Sequence, residues 1–276
     1  MSKGFLILVQ NTNDVDYLKQ AYALALSIKI SQQSVNNVSL VTNDPVPDSY
    51  KHVFDQIIPI PWTDNTESRY RAENRWKLYY ATPYDETIVL DADMLVLEDI
   101  SSWWEQCKVY DVNYCSKIKN YKLEPVIDTV YRQSFIVNHL PSSYCALHYF
   151  KKSTVASEFY KCLEFVCNNW QKCYTIFAPE LYEDYLSMDK AVAISIQLSG
   201  ITAIDAASPL EFIHMRPGLQ GWVVPSTSWQ RSVPAILNSK GELVVGNIKQ
   251  SRVFHYIEKD FLSDNILKKL ELVYGH

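Results

Sequence analysis

Residues 84–100, YDETIVLDADMLVLEDI, decide how this chain of 276 residues is read. Thr87, Ile88, Val89 and Leu90 form a short, continuous apolar run behind a Thr82-Pro83-Tyr84-Asp85 turn, the pattern of a strand buried on both faces. Asp91 and Asp93 follow at its carboxyl end, and the apolar pattern resumes at Met94. The carboxyl ends of strands are where open α/β sheets bind ligands, because helix N-termini and connecting loops converge there. In extended backbone, residues two apart point the same way, so both carboxylates can approach one ion or a bridging water. A bare pair of this kind more often starts a turn or caps a helix. Between two apolar runs, however, unpaired carboxylates are costly to bury, and a cation or a set of donors must answer them.

Working outward, residues 5–9 form a second apolar run that ends in the polar loop Gln10-Asn11-Thr12-Asn13-Asp14. Leu18, Ala21, Tyr22, Ala25 and Ile28 recur at three- and four-residue spacing, which predicts a helix over residues 15–30, with Asp14 placed to cap it. Strands are expected at residues 38–42 and 56–61, and a helix over 69–80. An amphipathic helix containing Trp103 and Trp104 follows the Asp pair. In the second half the pattern predicts a strand at 144–150, helices over 154–170 and 184–199, and a strand at 201–205. Residues 235–237 and 243–245 flank Asn238-Ser239-Lys240-Gly241 as a hairpin, and a strand at 253–257 precedes a closing helix over 261–272. The alternation predicts an α/β fold with a Rossmann-like mixed central sheet flanked by helices. No repeat or linker interrupts it, so residues 1–276 are expected to form a single domain.

Composition narrows the class. Apolar residues make up 47% and charged residues 21% of the chain, as in an ordinary globular enzyme. The run at residues 5–9 is too short to span a bilayer and has no small-residue cleavage site behind it. The six cysteines contain no CxxC pair, which fits reduced thiols in a cytoplasmic protein. A net charge of −5 argues against a nucleic-acid protein with a basic footprint, leaving only a local basic face. None of the seven glycines falls in a GxGxxG or GxxxxGK[ST] arrangement. Phosphate must therefore be held by metal and side chains.

A diphosphate concentrates negative charge, and a divalent cation on one or two carboxylates is the common way to neutralise it. His255, on the apolar run Val253-Phe254-His255-Tyr256, can complete a Mn²⁺ or Mg²⁺ site begun by Asp91 and Asp93. His214, in FIHMRPG, is the rival ligand. Arg69, Arg71, Arg75 and Lys77 lie on or near one predicted helix, where they cannot all share a face. Lys77, nearest the Asp91 strand, is the one chosen to face the diphosphate. Trp222, Trp229 and Tyr121, with Lys117, Lys119 and Lys122, could stack on and steer an acceptor, although core aromatics and solvated lysines are the commoner roles of such residues.

These motifs resemble the glycogenin-like, family-eight retaining glycosyltransferases of the GT-A fold. LVQNTNDVDYLKQAYALALSIK is similar to the family's opening strand, polar loop and base-contacting Tyr, which assigns Asn11, Asn13 and Tyr17 to base and ribose. Lys77-Leu78 ahead of the Asp91-Ala92-Asp93 motif matches the family's Lys-Leu pair. His255 with Lys259 is similar to its late metal ligand and diphosphate lysine. Met188-Asp189-Lys190 resembles the Asp-Gln pair beside the sugar, which gives Asp189 a catalytic part. The resemblance implies a nucleoside-diphosphate sugar donor, a UDP-sugar foremost, and retention of anomeric configuration. It divides the chain into a donor and metal half, residues 1–105, and an acceptor half, residues 106–276. Two departures stand out. Ser143-Tyr144-Cys145-Ala146 replaces the family's Asn-Ala-Gly, so sugar identity does not carry over, and the glycine between His255 and Lys259 is missing. The acceptor is expected to be a glycan or, in a phage-type relative acting in the host cytoplasm, a hydroxymethylated DNA base. A nucleotidyltransferase and a non-catalytic carbohydrate-binding protein are the alternatives. The first usually brings a Gly-rich N-terminal loop that this chain lacks, and the second needs no Asp pair.

Overall fold

Phe5, Leu6 and Ile7 are fully buried because their strand has a neighbour on each edge and a packed layer on each face. A computed structural model describes residues 1–62, 72–127, 130, 132–221 and 229–275. Its strands are β1 (Lys3–Leu8), β2 (Val38–Val41), β3 (Gln56–Ile58), β4 (Glu86–Leu90), β5 (Met94–Val96), β6 (Val112–Cys115) and β7 (Lys117–Lys119). They continue with β8 (Tyr144–Lys151), β9 (Glu211–His214), β10 (Ala235–Leu237), β11 (Leu243–Val245), β12 (Ile248–Lys249) and β13 (Val253–His255). The main sheet has the order β3-β2-β1-β4-β8-β6, parallel across its first four strands and antiparallel at β8. A second sheet has the order β5-β13-β9-β7, and β10, β11 and β12 form a separate ribbon.

Side chains on the central strands alternate between two cores, as the period of two requires. Phe5, Ile7, Ile88 and Leu90 join the cluster that includes the Tyr17–Ser31 helix and the second sheet. Leu6, Val41 and Val89 join the cluster built on the helices Thr154–Asn168 and Met188–Ser199. The result is an α/β fold with a mixed sheet between helices. Strands β4 and β5 belong to different sheets, and the three residues between them are Asp91, Ala92 and Asp93. The carboxylate pair is therefore the crossing point from one sheet to the other.

Most expected elements form, and the exceptions have local causes. Asp16, not Asp14, caps the first long helix by accepting the Lys19 N–H at 3.0 Å. The helix expected over 69–80 is a 3₁₀ turn, Ala72–Lys77, followed by one α turn, Leu78–Ala81; residues 69–71 lie outside the described residues. Residues 201–205 form no strand: beyond one bond from the Tyr114 N–H to the Ala203 carbonyl they build no ladder. The helix expected over 154–170 breaks at Asn169 into two, and the one expected from residue 184 begins at Met188 because Ser187 is extended.

Candidate active site

The parallel strands β1 and β4 end side by side, and the loops leaving them meet. Asp91 is held by its backbone N–H, which donates to the Ala146 carbonyl at 3.0 Å, and its carboxylate is paired with Arg75. Asp93 accepts from His255 Nε2 at 3.1 Å and from Lys259 Nζ. One donor atom from each of Asp91, Asp93 and His255 lies within 4.8 Å of the other two. Register explains the meeting. His255 pairs with Met94 across the β13–β5 ladder, which brings the imidazole next to Asp93.

The electrostatics follow from burial. Desolvation would raise the Asp93 pKa, but the His255 and Lys259 charges and hydrogen bonds win and hold the carboxyl well below the usual carboxylate range. Lys259 is moved upward: burial opposes its charge, and Asp93 more than offsets that. The same balance, set by Asp91, raises Arg75. His214 is pushed well below the usual histidine value, first by burial and then by neighbouring His255. The two imidazoles stack with centroids 5.1 Å apart and planes 21° from parallel. His255 therefore touches Asp93 and His214 stands behind it.

Of the other expected site residues, Tyr17 opens the first long helix and lies with its ring 5.6 Å from Lys259 Nζ, at the edge of the Asp pair. Asn11 is used structurally: its N–H donates to Asp44 at 2.6 Å and its side-chain oxygen accepts the Leu18 N–H at 3.1 Å. Asn13 is exposed on the same loop and Ala92 is buried between the two aspartates. Asp189 lines a cavity of about 270 Å³ with Arg75, Asp91, Tyr185 and His255. Both of its oxygens are engaged, one by the Cys145 N–H at 2.7 Å and the other by Arg132 at 2.9 Å. Cys145 lines the same cavity, but burial pushes its thiol up to about 12, so it is not a nucleophile at neutral pH.

Lys77 does not join this group. It lines a different cavity, with Glu73, Trp76 and Tyr80, and its amine lies 5.7 Å from the Trp76 ring. In a 3₁₀ turn, side chains three apart eclipse and side chains two apart diverge. Ala72 and Arg75 therefore face the Asp91 cavity, while Asn74 and Lys77 face the other. The residue beside the Asp pair is Arg75. Arg132 was also missed, since a single Arg in an irregular stretch gives no local signal; it is buried, with its guanidinium 3.7 Å from the Tyr144 ring.

Among the described residues, the expected acceptor platform does not assemble. Trp229 is fully buried, donates to the Tyr256 carbonyl at 3.1 Å and stacks on Phe261, so it belongs to the core. Lys119 pairs with Glu211 at 3.2 Å, Lys117 donates to the Ser208 carbonyl, and Lys122 lies over Tyr121. Trp222 lies outside the described residues.

The mixed central sheet, the second sheet and the flanking helices have the GT-A fold seen in solved glycosyltransferases. The galactosyltransferase LgtC, solved with donor and acceptor sugar analogs, matches with a TM-score of 0.55 and 12% identity over 98% of this chain and 95% of that one. Mouse xyloside xylosyltransferase 1 in its apo form matches with a TM-score of 0.54 and 8% identity over 92% and 97%. The glycosyltransferase GlyE of Streptococcus pneumoniae TIGR4 matches with a TM-score of 0.51 and 11% identity over 99% of this chain, which spans 63% of GlyE. No protein-family model matches the chain, and no curated protein matches it in sequence. Among the described residues, no helix is long and apolar enough to cross a membrane.

Proposed function

We propose that this chain is a metal-dependent, retaining glycosyltransferase of the glycogenin-like kind, moving a sugar from a nucleoside-diphosphate sugar, a UDP-sugar foremost, to a hydroxyl acceptor. The observation that carries the reading is the convergence of Asp91, Asp93 and His255 within 4.8 Å at the sheet crossing. The donor set suits the group: two carboxylates and an imidazole fit Mn²⁺ or Mg²⁺. His255 Nδ1 is buried and has no hydrogen-bond partner among the described residues, so this imidazole keeps donor capacity the protein does not use. When bound, the ion neutralises charge on the diphosphate.

The chain's own residues do the rest. Lys259, kept protonated by Asp93, sits between the Asp pair and the Tyr17 ring, where it stabilises charge on the leaving diphosphate. Arg75 does the same from the Asp91 side and takes the part expected of Lys77. Tyr17 and the loop of Asn11 and Asn13 offer the surface for base and ribose. Asp189, fixed by Arg132 and the Cys145 N–H, accepts hydrogen bonds from sugar hydroxyls with its remaining lone pairs. No separate base is required, because the departing phosphate can accept the acceptor's proton. Residues 1–276 act as one unit in this reading, with the donor half and acceptor half meeting at the Asp189 cavity.

The test is a panel of nucleotide sugars incubated with the protein and Mn²⁺, with and without EDTA. Free nucleoside diphosphate, formed only with metal, is the expected result. Pyrophosphate released from a nucleoside triphosphate and a sugar 1-phosphate in a parallel incubation would identify a nucleotidyltransferase, and no metal-dependent product in either incubation would leave a carbohydrate-binding protein.

A further inference from the structure

On the far side of the Ala72–Lys77 turn from Asp91 lies a cavity of about 450 Å³, a size typical of small-ligand sites. Trp62, Trp76 and Tyr80 form one wall, and Glu73, Glu164 and Asn168 supply polar groups around it. Trp62 stacks on Trp76 with centroids 5.4 Å apart and planes 20° from parallel, while Tyr80 meets it edge-on at 5.1 Å. Trp76 is buried, yet Trp62 is 64% exposed. An indole left this open forgoes much of the burial that usually recommends the residue. Its backbone is also strained: Trp62 has φ of 57°, a left-handed conformation that bulky residues rarely adopt. An exposed Trp held in a strained conformation over a polar cavity is the kind of outlier that marks a ligand clamp.

We infer that this cavity binds a neutral glycan, with one sugar ring stacked on Trp62 and its hydroxyls meeting Glu164 and Asn168. A pyranose presents an apolar C–H face that suits an aromatic ring, and hydroxyls around its rim that suit carboxylates and amides. The side chains of Glu164 and Asn168 make no hydrogen bond or ion pair among the described residues, so their acceptors are available. Charge separates glycans from the other acceptor class. Among the described lining residues, the Glu164 carboxylate stands where a phosphodiester backbone would meet it, and repels one. Asn74, on the same turn, donates to Gln10 at the end of β1 at 3.1 Å, which fixes the cavity relative to the cleft. Only the identification of this glycan as the acceptor rests on the glycosyltransferase reading; the binding itself does not.

The test uses an array of immobilised neutral oligosaccharides of glucose, galactose, xylose and N-acetylglucosamine, together with a hydroxymethylated DNA duplex, probed without donor or metal. Wild-type protein is expected to bind at least one glycan class and not the duplex. Trp62→Ala is expected to weaken that binding about tenfold while keeping the wild-type melting temperature, and Trp62→Phe to restore most of it. A wild-type protein that binds no glycan, a Trp62→Ala variant that binds as wild type, or binding of the duplex that is lost in Trp62→Ala would each overturn the inference. Nucleoside diphosphate release by the wild-type protein is scored separately. Release with a blank array defeats the glycan site alone, and Trp62-dependent binding without release from any donor defeats the glycosyltransferase reading alone.

Discussion

The two cavities on either side of the Ala72–Lys77 turn are built on opposite plans. In the first and at the Asp pair beside it, each carboxylate named above has a cationic partner: Asp91 with Arg75, Asp93 with Lys259, Asp189 with Arg132. These groups sit on strand ends and the first turn of a helix, where the backbone cannot move far. In the second, the prominent feature is an exposed aromatic face, that of Trp62. The difference teaches what each kind of recognition requires. Stabilising charge that develops during a reaction needs dipoles and ions already fixed in place. Stacking a neutral ring needs only a correctly presented surface.

The sharpest way to break the comparison is Asp93→Asn, which removes the charge that both His255 and Lys259 answer. Turnover of nucleotide sugar is expected to fall by about 10³-fold or more, with the circular dichroism spectrum unchanged. Retained turnover would mean that the convergence is merely structural. Next comes Arg132→Met, which leaves the largely buried Asp189 charge without its partner. A loss of about 3 kcal/mol in urea unfolding is expected, together with reduced turnover. A variant as stable as the wild type would show that Asp189 does not depend on this pair. Arg75→Ala and Lys77→Ala then compare the two sides of one turn directly. About a hundredfold loss of turnover is expected for Arg75→Ala and less than about tenfold for Lys77→Ala, measured as diphosphate release; equal losses would erase the distinction drawn from the 3₁₀ geometry. The smallest effect on stability belongs to Trp62→Ala. As an exposed side chain, Trp62 is expected to contribute less than about 0.5 kcal/mol, read from thermal melting. A large drop would recast Trp62 as packing for Trp76.

Much of the cleft was legible because its signals are local. The run Thr87 to Leu90 announces a strand, the following aspartates share a face by the period of two, and the loop after β1 is polar where the helix begins. The choice between His214 and His255 was not legible. Both follow apolar runs, and only the pairing of β13 with β5 on one side and β9 on the other sets His255 against Asp93 with His214 behind it. The helix over 69–80 was expected with a 3.6-residue period, and the tighter 3₁₀ turn that forms over Ala72–Lys77 exchanges the places of Arg75 and Lys77. Trp229, read as an acceptor surface, is core, because an isolated Trp in an irregular stretch carries no mark of which way it faces.

The amino-acid order by itself determined the alternation of elements, the buried central strands and the position of the carboxylate pair at a strand's end, since periodicity and composition act over a few residues. Only tertiary structure decided which cations meet those carboxylates, which histidine stands beside them and which tryptophan reaches the surface. Arg132 and Asp189 lie 57 positions apart, Asp93 and His255 162 apart. Contacts across such separations are set by sheet register and chain crossing, which no local pattern encodes.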